Sequence, residues 1–295
     1  MQRLLIIGCG DVIRRALPWL TRRYRVYATT RNENTASSLR AAGVTPLRAD
    51  LDRADSLDRL AGIGTLVLHS APPQEKGLLD LRTRRLVAAL ARGTMLPRRL
   101  IYIGTSGVYG DCGGEWVTES RPVRAQTARA TRRTDAENCL RRFGRRNGVA
   151  ISILRAPGIY AADRLPLERI RRRDPVLNSE EDVYTNHVHA ADLARAAALA
   201  LSRGRSGRAY NACDDSCLKM GDYFDLVADT FDLPRPPRAS RHEAQQRLGP
   251  MTLSFMQESR RLINRRLKRE LRIQLLYPEV AAGLAAARAT SSFGR

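Results

Sequence analysis

The stretch LLIIGCGDVIRRAL, residues 4–17, decides the fold of this 295-residue chain. Four apolar residues typical of a buried strand lead into two glycines, and a segment with helical spacing of its apolar residues follows. Gly8 can make the tight turn, and Gly10 lets backbone N–H groups at the start of the helix approach a diphosphate. This layout is typical of a dinucleotide-binding turn. Ile13 stands where a third glycine is expected, so we expect a displaced helix.

The rest of the first half alternates strand-like and helix-like segments at a spacing that indicates βαβ units. Strand-like runs are RVYATT, VTPLRAD, TLVLHSA, RLIYIG and AISILRA, and RAYNAC (208–213) reads as a further strand. The sequence therefore predicts an α/β fold, a Rossmann-type doubly wound parallel sheet of about seven strands. The helical segments between them lie near residues 12–23, 34–42, 53–61, 76–93 and 127–147.

The pattern changes after residue 157, which indicates a smaller C-terminal substrate lobe. We predict an NAD(P)-binding domain over residues 1–160 and a mostly α-helical lobe over 161–295, from which the strand near 208–213 returns to the sheet. The helices of the lobe are expected near residues 164–173, 189–203, 219–231 and 257–271.

The net charge of +21 comes almost entirely from arginine, since only three of the 51 basic residues are lysines. These residues are spread along the chain among acids, and aromatic residues are only 5%, which is poor for stacking on bases. We therefore interpret the charge mainly as a solvated surface, and nucleic acid as an unlikely partner. The cysteines are odd in number and scattered, and no apolar run is long enough to span a membrane, so we expect a cytoplasmic protein. No set of Cys and His residues indicates a metal site.

Five motifs in order resemble the extended or atypical short-chain dehydrogenases/reductases, the group that includes the NAD-dependent epimerases and dehydratases. They are GCGDV (8–12), LHSAP (68–72), GTSGVYG (104–110), LRAPGIY (154–160) and NHVHAADLA (186–194). The resemblance implies a Rossmann sheet and a small lobe that closes over the substrate, often a nucleotide sugar. Members of this family often pair through the helix over 127–147 and the helix before it; the sequence leaves open whether this chain forms such a homodimer.

The sequence departs from this family at its chemical centre. The resemblance implies that Thr105 holds the reacting oxygen of the substrate, and that a YxxxK motif follows with a glutamate four residues past the lysine. Counting back from Glu137 places Arg133 at the lysine and Arg129 at the tyrosine. Arginine has no acceptor and stays protonated, so Arg129 cannot act as a base. The two arginines could instead hold the nicotinamide ribose and an anionic group of the substrate; a solvated helix face is the alternative.

Other groups would then have to move the proton. Tyr109 and Tyr160 are the candidates, although packing roles are favoured for both. For His187 and His189 we favour core or capping roles, and for Asp192 a place in the first turn of a helix.

The second strand ends in ATTR, where Thr30 and Arg31 suit a 2′-phosphate, so NADP is favoured over NAD. Asp50 could receive the adenine amino group or cap a helix. The predicted cofactor contacts are Gly8, Gly10, Asp11, Val12, Thr30, Arg31, Asp50, Leu51, Ser70, Ala71 and Pro157.

Three functions follow from these observations. The first is an NAD(P)-dependent oxidoreductase or epimerase/dehydratase-like enzyme whose acid/base site is altered. It would act on a hydroxyl- or keto-bearing small molecule, possibly a nucleotide sugar, and its catalytic residues would be Thr105, Tyr109, Arg129 and Arg133. The second is a non-catalytic NADP(H)-binding sensor or interaction protein. The third is a nucleic-acid-binding protein on a Rossmann scaffold.

Overall fold

The computed structural model describes residues 1–292, apart from the side chains of residues 250, 251, 255, 291 and 292. The last residues of the predicted lobe, 293–295, lie outside this description. The strands of the first half are β1 (Arg3–Ile7), β2 (Arg25–Thr30), β3 (Thr45–Arg48), β4 (Leu66–His69), β5 (Arg99–Thr105) and the short β6 (Trp116–Val117). The helices are α1 (Asp11–Arg14), α2 (Leu17–Thr21), α3 (Glu33–Ala41), α4 (Leu81–Ala91) and α5 (Ala128–Asn147), with 3₁₀ turns at Ala54–Leu60 and Ser106–Tyr109.

The second half mixes helices with short strands. Its strands are β7 (Ala150–Ala156), β8 (Gly158–Tyr160), β9 (Val176–Leu177), β10 (Tyr184–Thr185), β11 (His187–His189), β12 (Ala209–Asn211), β13 (Leu218–Lys219), β14 (Arg238–Ala239) and β15 (Arg261–Leu262). Its helices are α6 (Leu167–Arg171), α7 (Ala190–Arg203), α8 (Met220–Thr230), α9 (Arg241–Arg247), α10 (Pro250–Phe255), α11 (Arg265–Leu271) and α12 (Val280–Ser292), with a 3₁₀ turn at Ala162–Arg164.

Seven strands form one sheet in the order β3-β2-β1-β4-β5-β7-β12, and every neighbouring pair is parallel. The fold prediction is confirmed, including the late strand that returns to the sheet edge. Because all the strands run the same way, the ends of β1, β4, β5 and β7 meet at one edge. The register pairs Ile7 with His69 and Thr105 with Ala156 there. Ligands of such sheets bind at this edge.

Alternate residues of each central strand belong to two different cores. In β1, Leu4 and Ile6 pack on one face of the sheet with α7 and α11, whereas Leu5 and Ile7 pack on the other with α4 and α5. This alternation is what a parallel sheet covered by helices on both faces requires. A third core, around Tyr160 and Phe224, holds the C-terminal lobe together.

Some elements differ from the sequence prediction. Residues 54–60 form a 3₁₀ helix, and the helix expected over 257–271 begins only at Arg265, because β15 before it pairs with β6. The alanine-rich helix α7, which the sequence analysis places in the lobe, is buried against the main sheet instead. The lobe also contains short two-stranded sheets between its helices. The division of the chain at residue 160 stays a prediction.

No helix among residues 1–292 combines the length and the apolar character that crossing a bilayer would need. Within the same residues, no three or more His, Cys, Asp or Glu side chains come together as a metal site requires. The pairing of two copies through α4 and α5 stays a prediction.

Candidate active site

The glycine turn has the geometry that its sequence suggests. Gly8 has a φ of +84°, and a Cβ added to it would lie 2.6 Å from the backbone nitrogen of Ala71, so both conformation and space demand glycine. Gly10 differs, because an added Cβ would meet nothing within 4 Å. The protein thus leaves open space beside the backbone at the start of α1, where a diphosphate would lie.

Ile13 is buried in the core on the face of the sheet that α7 and α11 cover, and it does not fill this space. The helix that follows the turn is interrupted: α1 ends at Arg14, and α2 begins at Leu17 with Pro18 in its first turn. Proline lacks the N–H that would continue the ladder, so it suits the start of the second helix. The expected disturbance of the helix takes the form of this break.

Two residues after β4 lie directly against the glycine turn. The backbone N–H groups of Ser70 and Ala71 both donate to the carbonyl of Ile7, at 2.9 and 3.1 Å, and the Ser70 hydroxyl donates to the carbonyl of Gly8. Asp11 at the start of α1 is exposed and pairs with Arg15 and with Arg164 of the lobe. The predicted contacts around the diphosphate are therefore brought together at one place.

A second cavity, of about 200 Å³, lies where the adenosine end of a dinucleotide is expected. Thr30, Arg31 and Arg48 line it, and neither arginine forms an ion pair with a residue that the structure describes. Arg40 also lines it but is paired with Glu33 at 2.6 Å. Arg48 was missed in the sequence because it ends β3, and only the register, which pairs it with Thr30, places it there.

Asp50 and Leu51 have local roles in the structure. One carboxylate oxygen of Asp50 accepts the N–H of Asp52 at 3.0 Å, so the residue closes the turn after β3. Leu51 packs against the core next to α4, and its carbonyl accepts from Arg85. The contact of either residue with an adenine stays a prediction.

The main cleft has a volume of about 550 Å³ and opens at the carboxyl edge of the sheet. Thr105 at the end of β5, Pro157 after β7, and Arg129 and Arg133 of α5 all line it. The two arginines share a helix face because they are four residues apart. Four of the predicted site residues are thus in one cleft; Arg129 is exposed and Arg133 is half-buried, so a binding role for the two arginines stays a prediction.

Two groups of β5 hold the side chain of Arg133 in place. Its Nη1 donates to the hydroxyl of Tyr102 and to the carbonyl of Ile103, both at 3.1 Å. Burial raises the pKa of Tyr102 to about 12, against the opposing influence of the Arg133 charge, so this tyrosine remains a neutral partner at ordinary pH. Arg133 is therefore a fixed cation at the floor of the cleft.

The structure places Tyr109, which was predicted in the catalytic set, outside the cleft of Thr105. Its ring is 1% exposed and does not line the cleft of Thr105. Its hydroxyl donates to Asn211 at 2.7 Å, and the guanidinium of Arg155 lies 4.8 Å from its ring centre. These contacts indicate a packing role for Tyr109, the role that the sequence analysis favoured, and its part in catalysis stays a prediction.

Tyr160 and His187 do line the cleft, from the lobe side. Burial lowers the pKa of His187 to about 3 and raises the pKa of Tyr160 far above its usual value, so both are neutral and hold their protonation state. His189 caps α7 by accepting the N–H of Ala191. Asp192, in the first turn of α7, also accepts two backbone N–H groups of the segment over 276–277.

The lobe supplies cleft residues that the sequence alone did not single out. They include Tyr223 of α8 and a group of charged residues: Arg164, Arg169, Glu258 and Arg260. The basic segment over 164–173 was visible as a pattern. However, nothing in the sequence indicates that its arginines and those over 258–260 converge on one cleft.

Asp214 is a buried carboxyl behind the cleft wall, close to Tyr160 and Tyr223. One of its oxygens accepts the N–H of Ser216, and the other has no partner in the described part of the chain. Burial, followed by repulsion from Asp215 and Asp192, raises its pKa from 3.8 to about 8.

This carboxyl should make the protein less stable as the pH rises. Between about pH 4 and 8 the folded protein keeps a proton that the unfolded chain has lost, so stability falls by up to about 1.4 kcal/mol per pH unit. Replacing Asp214 with asparagine removes this dependence. We expect urea unfolding to show a loss of about 2 kcal/mol from pH 6 to pH 8 that is absent in the variant. Identical pH slopes in both proteins would contradict the assignment.

This chain is similar to known proteins both in sequence and in fold. The family model for the NAD dependent epimerase/dehydratase family matches residues 10–213. No curated protein matches the chain. A functionally unknown conserved protein from Silicibacter pomeroyi is 28% identical, with a TM-score of 0.80 over 98% of this chain and 99% of the other.

Two solved enzymes share the fold at lower identity. UDP-glucuronic acid 4-epimerase from Bacillus cereus, in complex with NAD, is 15% identical with a TM-score of 0.75 over 97% of this chain and 96% of its own. A double mutant of the dTDP-glucose 4,6-dehydratase DesIV from Streptomyces venezuelae, with NAD bound, is 18% identical with a TM-score of 0.77 over 99% and 98%.

Proposed function

Because the chain belongs to the NAD-dependent epimerase/dehydratase family, we propose that it is an NADP(H)-dependent reductase of an anionic, keto-bearing small molecule. The observation that carries this proposal is the convergence of Thr105, Arg129, Arg133 and Pro157 on one cleft beside the glycine turn. The turn itself fits a dinucleotide, since Gly10 leaves room that no protein atom needs. A nucleotide sugar is one substrate of this kind, and Bacillus cereus UDP-glucuronic acid 4-epimerase acts on such a molecule.

The cofactor would be held along the edge of the sheet. Gly8, Gly10, Asp11 and Val12 would hold the diphosphate, Ser70 and Ala71 would adjoin it, and Pro157 would lie by the nicotinamide. Bound NADPH would supply a hydride to the carbonyl carbon of the substrate.

Thr105 positions the substrate oxygen. Its Oγ1 accepts the N–H of Gly107 at 3.2 Å, so the hydroxyl proton remains available to donate to a ligand. It therefore offers one hydrogen bond to the carbonyl oxygen at the end of β5, and its own orientation is fixed by the 3₁₀ turn that it caps.

The arginines stabilise the charge that develops on that oxygen. A fixed guanidinium in a partly closed cleft favours an alkoxide, as the donors of an oxyanion hole do. Neither arginine can remove a proton from a hydroxyl, so the site favours reduction over oxidation or epimerisation. The alkoxide would take its proton from water at the open mouth of the cleft.

The proposal is tested by mixing the protein with NADPH and a panel of ketones that do or do not carry a carboxylate or phosphate. NADPH binding is followed by calorimetry, and its consumption by absorbance. We expect binding, and slow oxidation only with the anionic ketones. Absence of NADPH and NADH binding would end the proposal.

The choice of NADP over NAD rests on the cavity of Thr30, Arg31 and Arg48. Replacing both arginines with alanine should weaken NADPH binding by about 10- to 100-fold and leave NADH binding unchanged, because each charge-assisted hydrogen bond to a phosphate is worth about 1.5–3 kcal/mol before solvent screening. The variant R269A, at an exposed arginine of α11, serves as the control. Equal losses for NADPH and NADH would contradict a 2′-phosphate site.

A second candidate, a non-catalytic NADP(H)-binding sensor, is favoured by one observation. Burial moves the pKa of His187, Tyr160 and Tyr223 away from neutrality, so none of these three cleft residues is suited to acid/base work at pH 7. NADPH that binds but is not consumed with any ketone would support this function. Five unpaired cysteines accord with a cytoplasmic setting for either candidate.

A further inference from the structure

The ionised side chains of the main cleft are strongly unbalanced. Five are arginines, and Glu258 is the acid among the lining residues. Two acids outside the lining offset part of this charge: Asp11 lies 3.3 Å from Arg164, and Asp174 lies 4.0 Å from Arg169. Glu258 pairs with one arginine, Arg260, at 2.8 Å. The others lie on α5, on α6 and on the 3₁₀ turn before α6; they are Arg129, Arg133, Arg164 and Arg169.

The wall of the cleft that the lobe contributes is aromatic. The rings of His187 and Tyr223 are stacked, with centroids 4.1 Å apart and an interplanar angle of 22°. Phe224 meets Tyr223 edge to face at 5.6 Å, and Tyr160 meets His187 edge to face at 6.3 Å. All four line the cleft, so a ligand there is in contact with aromatic rings and arginines at once.

His187 also leaves a polar atom unsatisfied. The residue is 5% exposed, and its Nδ1 has no hydrogen-bond partner among the residues described. A buried ring nitrogen without a partner is rare in folded proteins and indicates a missing ligand or water. Because Nδ1 is enclosed by protein atoms, it is the ring of His187, and not this nitrogen, that the wall offers to a ligand.

We infer that the substrate is a compact anion with a flat ring, whose ring lies against the wall of His187, Tyr223 and Phe224 while its carboxylate or phosphate is bound by the arginines. The inference rests on the proposed function and narrows its substrate class. Rings prefer offset or edge-to-face contacts of this kind, and guanidinium groups bind planar anions with two parallel hydrogen bonds. The cleft must also admit the nicotinamide end of the cofactor, which favours a compact ligand.

Calorimetry on the full chain with saturating NADPH tests this with three probes: 2-naphthoate, its uncharged methyl ester, and UDP. We expect naphthoate to bind at least about 10-fold tighter than the ester and tighter than UDP, since one charge-assisted contact is worth about tenfold or more. R164Q should weaken naphthoate binding by about 5- to 10-fold. R171Q, on α6 outside the cleft, is the matched control and should change nothing. F224L tests the ring wall and should weaken both naphthalene probes alike.

The outcomes distinguish a failure of the inferred substrate class from a failure of the proposed NADP(H)-dependent reductase. An ester that binds as tightly as the acid overturns the anion part of the inference. UDP is also an anion with a flat ring but is larger, so UDP that binds tighter than naphthoate overturns the compactness of the ligand and favours a nucleotide. Naphthoate binding with the expected losses but without NADPH binding supports the substrate class and defeats the reductase. NADPH binding without naphthoate binding does the reverse.

Discussion

Replacing Arg129 with tyrosine and Arg133 with lysine together is expected to raise the turnover of an anionic ketone by about 100-fold or more, which is the usual contribution of a positioned general acid. Both residues line the cleft with Thr105, and both lie on one face of α5. A tyrosine at 129 would present its hydroxyl to the substrate oxygen that Thr105 is proposed to bind. A lysine one turn later would lower the pKa of that hydroxyl toward neutrality.

The expected gain is in kcat, and KM for an anionic ketone should rise as well. Removing the guanidinium of Arg129 takes a positive charge from the cleft, so an anionic substrate should bind less tightly. Steady-state kinetics with saturating NADPH separates the two effects, and a neutral ketone should show the gain in kcat without the rise in KM.

The matched control is R129F/R133K, which has the same ring without the phenolic hydroxyl. It should remain at the level of the native protein. R129Y alone keeps Arg133, whose positive charge also lowers the pKa of a neighbouring phenol, so this variant should show part of the gain. Equal activity of the phenylalanine and tyrosine variants would mean that the gain does not come from proton transfer. No gain in a variant that still binds NADPH would count against placing residues 129 and 133 at the catalytic pair.

The sheet could be predicted from the sequence because its information is local. Each strand is a short apolar run closed by glycine or a polar residue, and the two-core alternation of Leu4, Leu5, Ile6 and Ile7 follows from that run alone. The late strand β12 was also predictable, because Ala209–Asn211 follows a clear helix. Its neighbour β7 holds it at the edge of the sheet.

The cleft could be predicted only in the part that belongs to the sheet edge. Thr105 and Pro157 follow strands, so their position follows from topology. Arg260 and Tyr223 depend on the folding of the lobe, whose strands are two or three residues long and have no pattern of their own. The position of Tyr109 outside this cleft could not be predicted for a related reason, since its contact with Asn211 joins residues 102 positions apart.

In the sequence, Glu137 served only to align Arg129 and Arg133 with the YxxxK motif. In the structure, its side chain forms a buried ion pair that we expect to stabilise the fold. It forms a bidentate pair with Arg155 at 3.0 and 2.7 Å, and the two side chains are only 4% and 5% exposed. The pair joins α5 to β7 and so fixes the distance between the arginines of the helix and the cleft residues that follow the strand.

Replacing Glu137 with glutamine is expected to lower the free energy of unfolding by about 3–5 kcal/mol, because it leaves the buried guanidinium of Arg155 without a counter-charge. The matched control is E33Q, which breaks the exposed pair of Glu33 with Arg40 and should cost less than about 1 kcal/mol. Urea unfolding at pH 7 measures both.

A second variant separates the charge from the packing. Replacing both partners, as E137L/R155M, removes the buried charges together and should recover most of the lost stability, since apolar side chains of similar volume can substitute for a buried ion pair. A loss in E137Q no larger than in E33Q would show that water reaches Arg155 and that the pair is not buried in solution. If the double variant is as unstable as E137Q, the hydrogen-bond geometry between α5 and β7, and not the uncompensated charge, stabilises this part of the site.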